Sequence, residues 1–405
     1  MYPYNDFQLS SDDIEKIKDR NYRRALAEYI KTHGSQPDDE TALSFMTATA
    51  AELEEERRIL YALRTQRPRS HDYSQDYLTF GILSSGNIVW KSFGLNKTIS
   101  YSKNNGAWTE ITSTSGGTTI SVQSGDTVKF KGNNSSYGER NENWDEEDPD
   151  DIEYIYTKFS NTCQFNVSGN IMSLIYGDNF EGEDEFPSED SSEYNFYNLF
   201  SNCTGLVSAS RLILPATQLT NYCYESMFYN CTSLTTAPEL PATTLAYGCY
   251  KDMFYRCTSL TEAPELPATT MLDNCYAGMF SHCSSLTTAP ELPATTLTYG
   301  CYQNMFYNCV SLEVAPELPA DTLDNVCYAR MFSGCSSLNY IKCLATDISA
   351  DECTTSWLDG VAASGTFIKD ANMNSWTIGE TYDINEDEYV VSGIPSGWTI
   401  QNATE

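Results

Sequence analysis

The sequence predicts a multidomain α+β chain: an N-terminal helical segment, a small antiparallel β-sandwich, a solenoid with a 26-residue period and a C-terminal cap. Apolar residues have helical spacing before residue 70, apolar and polar residues alternate from residue 76, and cysteines recur every 26 residues from Cys223. A fixed period of this length is typical of stacked units that bury their apolar edges against their neighbours. The expected segments are 1–70, 71–140, 141–195, 196–345 and 346–405.

Residues 1–70 have the pattern of two helices. Ser11 is placed to cap the first helix, and Gly34 and Pro37 end it. The second helix is expected at about residues 39–65. Because two such helices bury little apolar surface by themselves, we expect this segment to act as an anchor or oligomerisation element.

Residues 71–140 alternate with the period of two that predicts β-strands. The sequence Asn104-Asn105-Gly106 indicates a hairpin turn. Short strands at this spacing favour a small antiparallel sandwich. The candidate strands are 77–80, 87–90, 99–101, 108–111, 119–122 and 127–130.

Residues 141–195 carry two acidic runs around an apolar stretch, 171–176, that we expect to form the N-terminal cap of the solenoid. Clustered carboxylates on loops suit hard cations such as calcium, although the spacing of an EF-hand loop is absent. The alternative is a pair of solvated surface insertions. The candidate cation ligands are Asp145, Glu146, Glu147, Asp148, Glu183 and Asp184.

Residues 196–345 hold a degenerate first copy and five close copies of the repeat. Each close copy has Met-Phe, then a cysteine and a leucine at successive steps of three, and we expect these side chains to form the core. They are Met227, Phe228, Cys231, Leu234, Met253, Phe254, Cys257, Leu260, Met279, Phe280, Cys283, Leu286, Met305, Phe306, Cys309, Leu312, Met331, Phe332, Cys335 and Leu338.

Ten of the fourteen cysteines occupy repeat positions. Small buried thiols that stack on their equivalents explain this placement most simply. Disulfides and a metal site are the alternatives, although the spacing Cys-x7-Cys is not a zinc signature.

Two sets of residues are candidates for contact with a partner. One acidic residue per copy should form a carboxylate ladder with a spacing of ~4.8 Å, either a solvated edge or a binding stripe for a basic partner. The aromatic residues of the cap are expected to be core, with a sugar-stacking platform as the alternative. The acidic set is Glu239, Glu265, Glu291 and Glu317, and the aromatic set is Trp357, Phe367, Trp376 and Trp398.

Composition narrows the function classes. The formal net charge is −32, of which −2 falls in residues 1–70, so nucleic acid and anionic membranes are not expected partners. The sequence predicts neither a transmembrane helix nor a secretory signal. Of three histidines, His282 occupies a variable position expected to be surface. No nucleophile–base pair or phosphate loop is visible, so neither an enzyme nor a cofactor is expected.

The motif Met-Phe-x-x-Cys-x-Ser-Leu, followed by Ala-Pro-Glu-Leu-Pro, resembles the BspA-like leucine-rich repeats of gut Bacteroidetes and of virion proteins of their crAss-like phages. The resemblance covers residues 196–344 and extends more weakly to the C-terminal cap. It implies a leucine-rich-repeat solenoid whose copies each have one strand, near residues 259–263, and a helical turn at 249–257. It also implies a protein-binding surface or structural protein rather than an enzyme.

These features predict a non-enzymatic virion structural protein of a phage that infects Bacteroides-type bacteria, such as a head or tail fibre or decoration. Residues 1–70 would bind capsid or tail proteins, and the array would serve adhesion to a host-surface protein or glycan. Since fibres are commonly trimeric, a homotrimer located in the virion is expected. The alternatives are a bacterial cell-surface adhesin of the BspA-like type and a glycan-binding surface protein.

Overall fold

Sheets and turns, rather than helices, build the part of this protein that the structure describes. The computed structural model describes residues 75–141, 154–187, 193–379, 381–383 and 388–403, so the helices predicted in residues 1–70 lie outside the described residues. Within those ranges the only α-helix is α1, Ser173–Tyr176, followed by a 3-10 turn at Gly177–Asn179. The prediction of an α+β chain with a leucine-rich-repeat solenoid is therefore wrong, because the described residues form several sheets joined by turns.

Two sheets form the N-terminal part of the described chain. The first has the strand order β10-β9-β1-β6-β3-β4 and the second β5-β2-β8-β7. Neighbouring strands are antiparallel, except β9 and β10, which are parallel. Strands β1–β6 coincide with the six candidate strands, and β8 and β9 extend both sheets beyond residue 140. The strands are β1 Leu78–Ile82, β2 Gly86–Phe93, β3 Thr98–Lys103, β4 Thr109–Thr112, β5 Thr118–Val122, β6 Thr127–Gly132, β7 Gly138–Arg140, β8 Tyr154–Asn161, β9 Phe165–Asn170 and β10 Leu206–Ile213.

Aromatic rings fill the space between the two sheets. Phe80 of β1 packs on Phe130 and Phe165 of its own sheet, with ring centroids 4.7 Å away in both cases. Across the gap it meets Phe159 of β8 at 4.9 Å, and Phe159 also packs on Trp90. All five side chains are fully buried, so this cluster fixes how the sheets face each other.

The repeat copies are made of consecutive turns that are hydrogen-bonded to one another. The amide of Met253 donates to the carbonyl of Tyr250 in its own copy at 3.2 Å, whereas the amide of Phe254 donates to Met279 in the next copy at 2.9 Å. This alternation continues along the turn segments, so every second N–H joins neighbouring copies. The helical turn expected at residues 249–257 is therefore absent.

The strand expected near residues 259–263 is also absent. There the copies meet only at isolated parallel bridges, such as those from Glu262 to Thr288 and from Val314 to Tyr340. The Pro residue that follows in each copy interrupts the ladder, since Pro has no N–H to donate.

The turn segments place a left-handed residue at every fourth position. Seven successive segments of the described chain each contain three such residues, with φ between 51° and 76°. For a residue with a Cβ atom this conformation costs roughly 1–2 kcal/mol, whereas Gly and Asn enter it more readily. The hydrogen bonds between copies hold the remaining residues there. The left-handed residues are Tyr194, Asn198, Asn202, Tyr222, Ser226, Asn230, Gly248, Asp252, Arg256, Asn274, Gly278, His282, Gly300, Asn304, Asn308, Val326, Arg330, Gly334, Glu352, Ser356 and Gly360.

Gly278→Ala tests this geometry. Gly278 has φ of +63°, and a Cβ there would lie 2.1 Å from Oδ1 of Asp252. We expect the substitution to lower the free energy of unfolding by about 1–2 kcal/mol, measured by urea titration. Gly278→Asn should not restore stability, because its Cβ meets the same carboxylate. Full recovery with Asn would show that backbone conformation alone matters here.

The core runs without interruption from the sandwich to the C-terminal end. One aromatic ladder begins at Phe159 of β8 and another at Tyr137, and the first copies continue them through Phe200 and Phe196. Ring centroids of successive copies lie 5.4–6.1 Å apart in both ladders, from Phe200 to Phe332 and from Phe196 to Tyr328. The sandwich and the repeats therefore belong to one compact unit, Tyr73–Glu405.

The stacked turns continue past residue 345 into the C-terminal part. The amide of Phe332 donates to the carbonyl of Trp357 at 3.0 Å, and the Trp357 ring stacks on Tyr328 and Trp376. The four aromatic residues expected in the cap core are buried. A parallel sheet of β11, β12 and β15 and an antiparallel pair, β13 and β14, complete this part. The strands are β11 Tyr340–Cys343, β12 Thr366–Lys369, β13 Thr381–Asp383, β14 Glu388–Val390 and β15 Thr399–Asn402.

Candidate binding surfaces

The twenty repeat residues expected in the core are all fully buried. Their burial follows from the register, since each copy places the same side chain over its equivalent 26 residues away. These residues support the surface and are not available to a ligand.

The thiols make a regular set of hydrogen bonds that the sequence pattern did not indicate. Sγ of Cys257 donates to the carbonyl of Phe228 in the preceding copy at 3.2 Å, and Cys283 donates to Phe254 at 3.1 Å. The same bond recurs at Cys231, Cys309 and Cys335. Cysteine suits this position because it is small, apolar and still able to donate weakly to a carbonyl.

These thiols are poor nucleophiles in the folded protein. All fourteen cysteines are buried and none forms a disulfide. Burial raises the pKa of Cys283 and of Cys335 to about 12, because the thiolate would be desolvated.

His282 completes an aromatic row instead of projecting freely from the surface. Tyr229, Tyr255 and Tyr307 occupy one position of their copies, but Ser281 stands there in the intervening copy. The His282 imidazole fills the missing place, 5.2 Å from Tyr255 and 5.3 Å from Tyr307. Partial burial, and secondarily the charge of Arg256, lower its pKa.

Two exposed rows run along the array. One contains the candidate acidic stripe, in which Glu317 pairs with Lys342 at 3.0 Å. The other contains pairs of exposed threonines joined by parallel bridges, such as that from Thr270 to Thr296. The acidic stripe is Glu239, Glu265, Glu291 and Glu317, and the threonines are Thr243, Thr244, Thr269, Thr270, Thr295 and Thr296.

The array itself is only mildly acidic. Residues 196–345 hold five Lys/Arg and eleven Asp/Glu, a small share of the total charge. Most of the excess lies in the acidic runs and the C-terminal part. The exposed surface of the array therefore contains threonine hydroxyl groups as well as glutamate carboxylates.

The candidate cation ligands do not converge on a site in the described chain. Asp145, Glu146, Glu147 and Asp148 lie outside the described residues, while Glu183 and Asp184 sit on the loop after α1. Across the part of the chain that the structure describes, no three His, Cys, Asp or Glu side chains are grouped to hold a metal ion.

A polar cleft of about 430 Å³ opens on the sandwich between β3, β4, the end of β6 and α1. No motif in the sequence indicates this cleft, because its residues come from four separate stretches. Its lining residues are Thr98, Ile99, Ser100, Glu110, Lys131, Gly132, Asn133, Asn134, Tyr176, Gly177, Asp178 and Asn179.

Fixed contacts hold one wall of the cleft. Asp178 accepts hydrogen bonds from the Tyr77 hydroxyl at 2.7 Å and from Nζ of Lys131 at 2.7 and 2.8 Å. These two partners, Lys131 first, lower the pKa of Asp178. Burial, together with the bond to Asp178, raises the pKa of Tyr77 to about 12. The wall thus consists of an ionised, paired carboxylate.

A glycine and two asparagines form another part of the lining. Gly177 has φ of +60°, and a Cβ there would lie 2.6 Å from Oδ1 of Asn133, so a larger residue would push into the cleft. Asn134 is fixed through Nδ2, which donates to the Thr98 carbonyl at 2.9 Å and to the Tyr137 hydroxyl at 3.1 Å. The cleft is therefore shaped by the fold before any ligand arrives.

Comparison with known proteins adds no family assignment. No helix within the described ranges is long and apolar enough to span a bilayer. No family model, curated protein or solved structure matches this chain.

Proposed function

We propose that this chain is a non-enzymatic structural protein of a phage particle, a fibre or decoration protein that displays its repeat surface for attachment. The proposal is supported chiefly by the packing of the reactive side chains of the repeats. The fourteen thiols are buried, and His282 is wedged between two tyrosine rings. What the copies present to solvent is a recurring pattern of threonine and glutamate, which suits contact over an extended surface better than chemistry at a point.

The assignment to a virion draws on the resemblance of the repeat motif, and the surface chemistry agrees with it. A stack whose copies share backbone hydrogen bonds and aromatic ladders is a stiff support for repeated weak contacts. Repeated contacts of this kind gain strength through their number rather than through one tight site.

Quantitative mass spectrometry of purified phage particles and of host membrane fractions tests this proposal. A fixed copy number relative to the major capsid protein, retained through density-gradient purification, is expected. Recovery of the chain only in the outer-membrane fraction, with none in particles, would overturn the proposal in favour of a bacterial adhesin.

A further inference from the structure

The polar cleft on the sandwich has a chemistry different from that of the repeat surface. Its lining combines hydroxyl, amide, ammonium and carboxylate groups with the ring of Tyr176. A volume of about 430 Å³ falls within the roughly 300–1,000 Å³ range of small-molecule sites. Such a space accommodates one or two sugar rings.

Several polar groups in the cleft are free to bind a ligand. Ser100, Glu110, Asn133 and Asn179 have side chains that make no hydrogen bond to other described residues. The hydroxyl and amide groups among them can donate or accept hydrogen bonds, whereas the Glu110 carboxylate accepts only. In contrast, Lys131 and Asp178 are already paired with each other.

The charged and polar groups of the lining exclude divalent cations, anions and apolar molecules as ligands. A divalent cation would need Asp178, but both of its oxygens contact the ammonium group of Lys131. An anion would be repelled by the carboxylate of Glu110. An apolar ligand would leave the hydroxyl of Ser100 and the amides of Asn133 and Asn179 without partners, which is costly. A neutral molecule with many hydroxyl groups fits all these constraints.

We infer that this cleft binds a neutral sugar unit of a glycan. Asn133, Asn179 and Ser100 hydrogen-bond its hydroxyls, Glu110 accepts from a further hydroxyl, and Tyr176 supplies an apolar wall for the C–H face of the ring. The Tyr176 hydroxyl donates to the Glu185 carbonyl at 2.9 Å, which restrains this side chain. The sandwich would then give the protein a specific contact beside the extended surface of the repeats.

The inference stands apart from the proposed virion function. A sugar site is compatible with a phage fibre and with a bacterial surface protein. Failure of the sugar experiment therefore leaves the particle experiment unaffected, and the reverse also holds.

The test uses the full chain on a glycan array that presents neutral hexoses, deoxyhexoses and N-acetylhexosamines, followed by saturation-transfer NMR with the monosaccharide that scores. Two variants alter the cleft. Asn133→Ala/Asn179→Ala removes hydrogen-bonding groups, and Ser100→Tyr fills the space. Asn402→Ala is the matched control, since Asn402 is exposed on β15 and its side chain makes no hydrogen bond to another described residue. Urea titration of each variant verifies that it is folded.

We expect binding by the native chain and by Asn402→Ala, a loss on the order of tenfold in the double variant and no signal for Ser100→Tyr. The inference is overturned if no neutral glycan binds, or if both cleft variants bind as well as the native chain. Binding that disappears with EDTA and returns with calcium would also overturn it, since that result identifies a cation site. If Ser100→Tyr proves unfolded, the double variant alone decides.

Discussion

The free energy of unfolding of this protein is expected to fall steeply between pH 9 and pH 11. The cause is the set of buried thiols in the repeat core. Burial raises the pKa of five of them to about 12, from an ordinary value of 9.0, because a thiolate would be desolvated in the core. These five are Cys203, Cys223, Cys283, Cys335 and Cys343.

The sign follows from which state holds the protons. Below pH 9 the thiols are protonated in both states, and their contribution to stability is fully present. Between pH 9 and pH 12 the unfolded chain releases its protons and the folded chain keeps them, so stability is lost as the pH rises. In this range each thiol lowers the free energy of unfolding by roughly 1 kcal/mol per pH unit. Five thiols therefore remove a typical free energy of unfolding of about 5–15 kcal/mol within one to three pH units.

Urea titrations between pH 7 and pH 11, with reductant present and followed by tryptophan fluorescence, measure this effect. Combining Cys223→Ala, Cys283→Ala and Cys343→Ala should lower stability at pH 7 yet make its pH dependence shallower by about three protons. Val310→Ala, at an exposed residue that does not titrate, is the control and should leave the slope unchanged. A free energy of unfolding that stays constant from pH 8 to pH 10.5 would contradict the argument. Buried tyrosines such as Tyr250, whose pKa is raised well above its ordinary value of 10.0 by desolvation, add to the loss from about pH 10 upward.

Phe254→Ala is expected to lower the free energy of unfolding by about 3–5 kcal/mol. Phe254 is fully buried, and its ring stacks between Phe228 at 5.4 Å and Phe280 at 5.7 Å, nearly parallel to both. Removing it opens a cavity between three copies and loses both ring contacts. Neighbouring copies cannot close this gap, because the hydrogen bonds between their backbones fix their separation.

Tyr255→Ala is the matched control for this substitution. Tyr255 follows directly in the sequence and stacks on Tyr229 at 4.7 Å, but it is only half-buried. We expect Tyr255→Ala to lower the free energy of unfolding by about 1 kcal/mol, measured by urea titration. Equal losses at the two positions would show that the phenylalanine ladder is not the main support of the array.

The sequence indicated the repeat and its inward side chains because a buried edge forces the same residue type at each step. Met253, Phe254, Cys257 and Leu260 are buried as that pattern requires. The same pattern led to a wrong prediction of the backbone conformation. The spacing of its apolar residues suits both a helical turn and a series of consecutive turns. The informative signal was the four-residue spacing of Gly and Asn at 274 and 278, and again at 300, 304 and 308. Tyr222 and Val326 interrupt this spacing of Gly and Asn in the sequence, although hydrogen bonds between copies hold both residues in the left-handed conformation.

The cleft could not be anticipated in the same way. Ser100, Glu110, Asn133 and Asn179 are far apart in the sequence and belong to no motif. Pairing of β3 with β4 and β6, and the position of α1 beside them, bring these residues together. The thiol hydrogen bonds were missed for a related reason, as a cysteine pattern reveals burial but not which carbonyl lies opposite.

By itself, the sequence determined the period, the residues of the core and the strands of the sandwich, because these depend on local patterns of apolar and polar side chains. The tertiary structure decided the rest: the turn geometry of the copies, the role of the thiols, the place of His282 and the polar cleft. Each of these depends on a partner distant in the chain, and only folding establishes which partner that is.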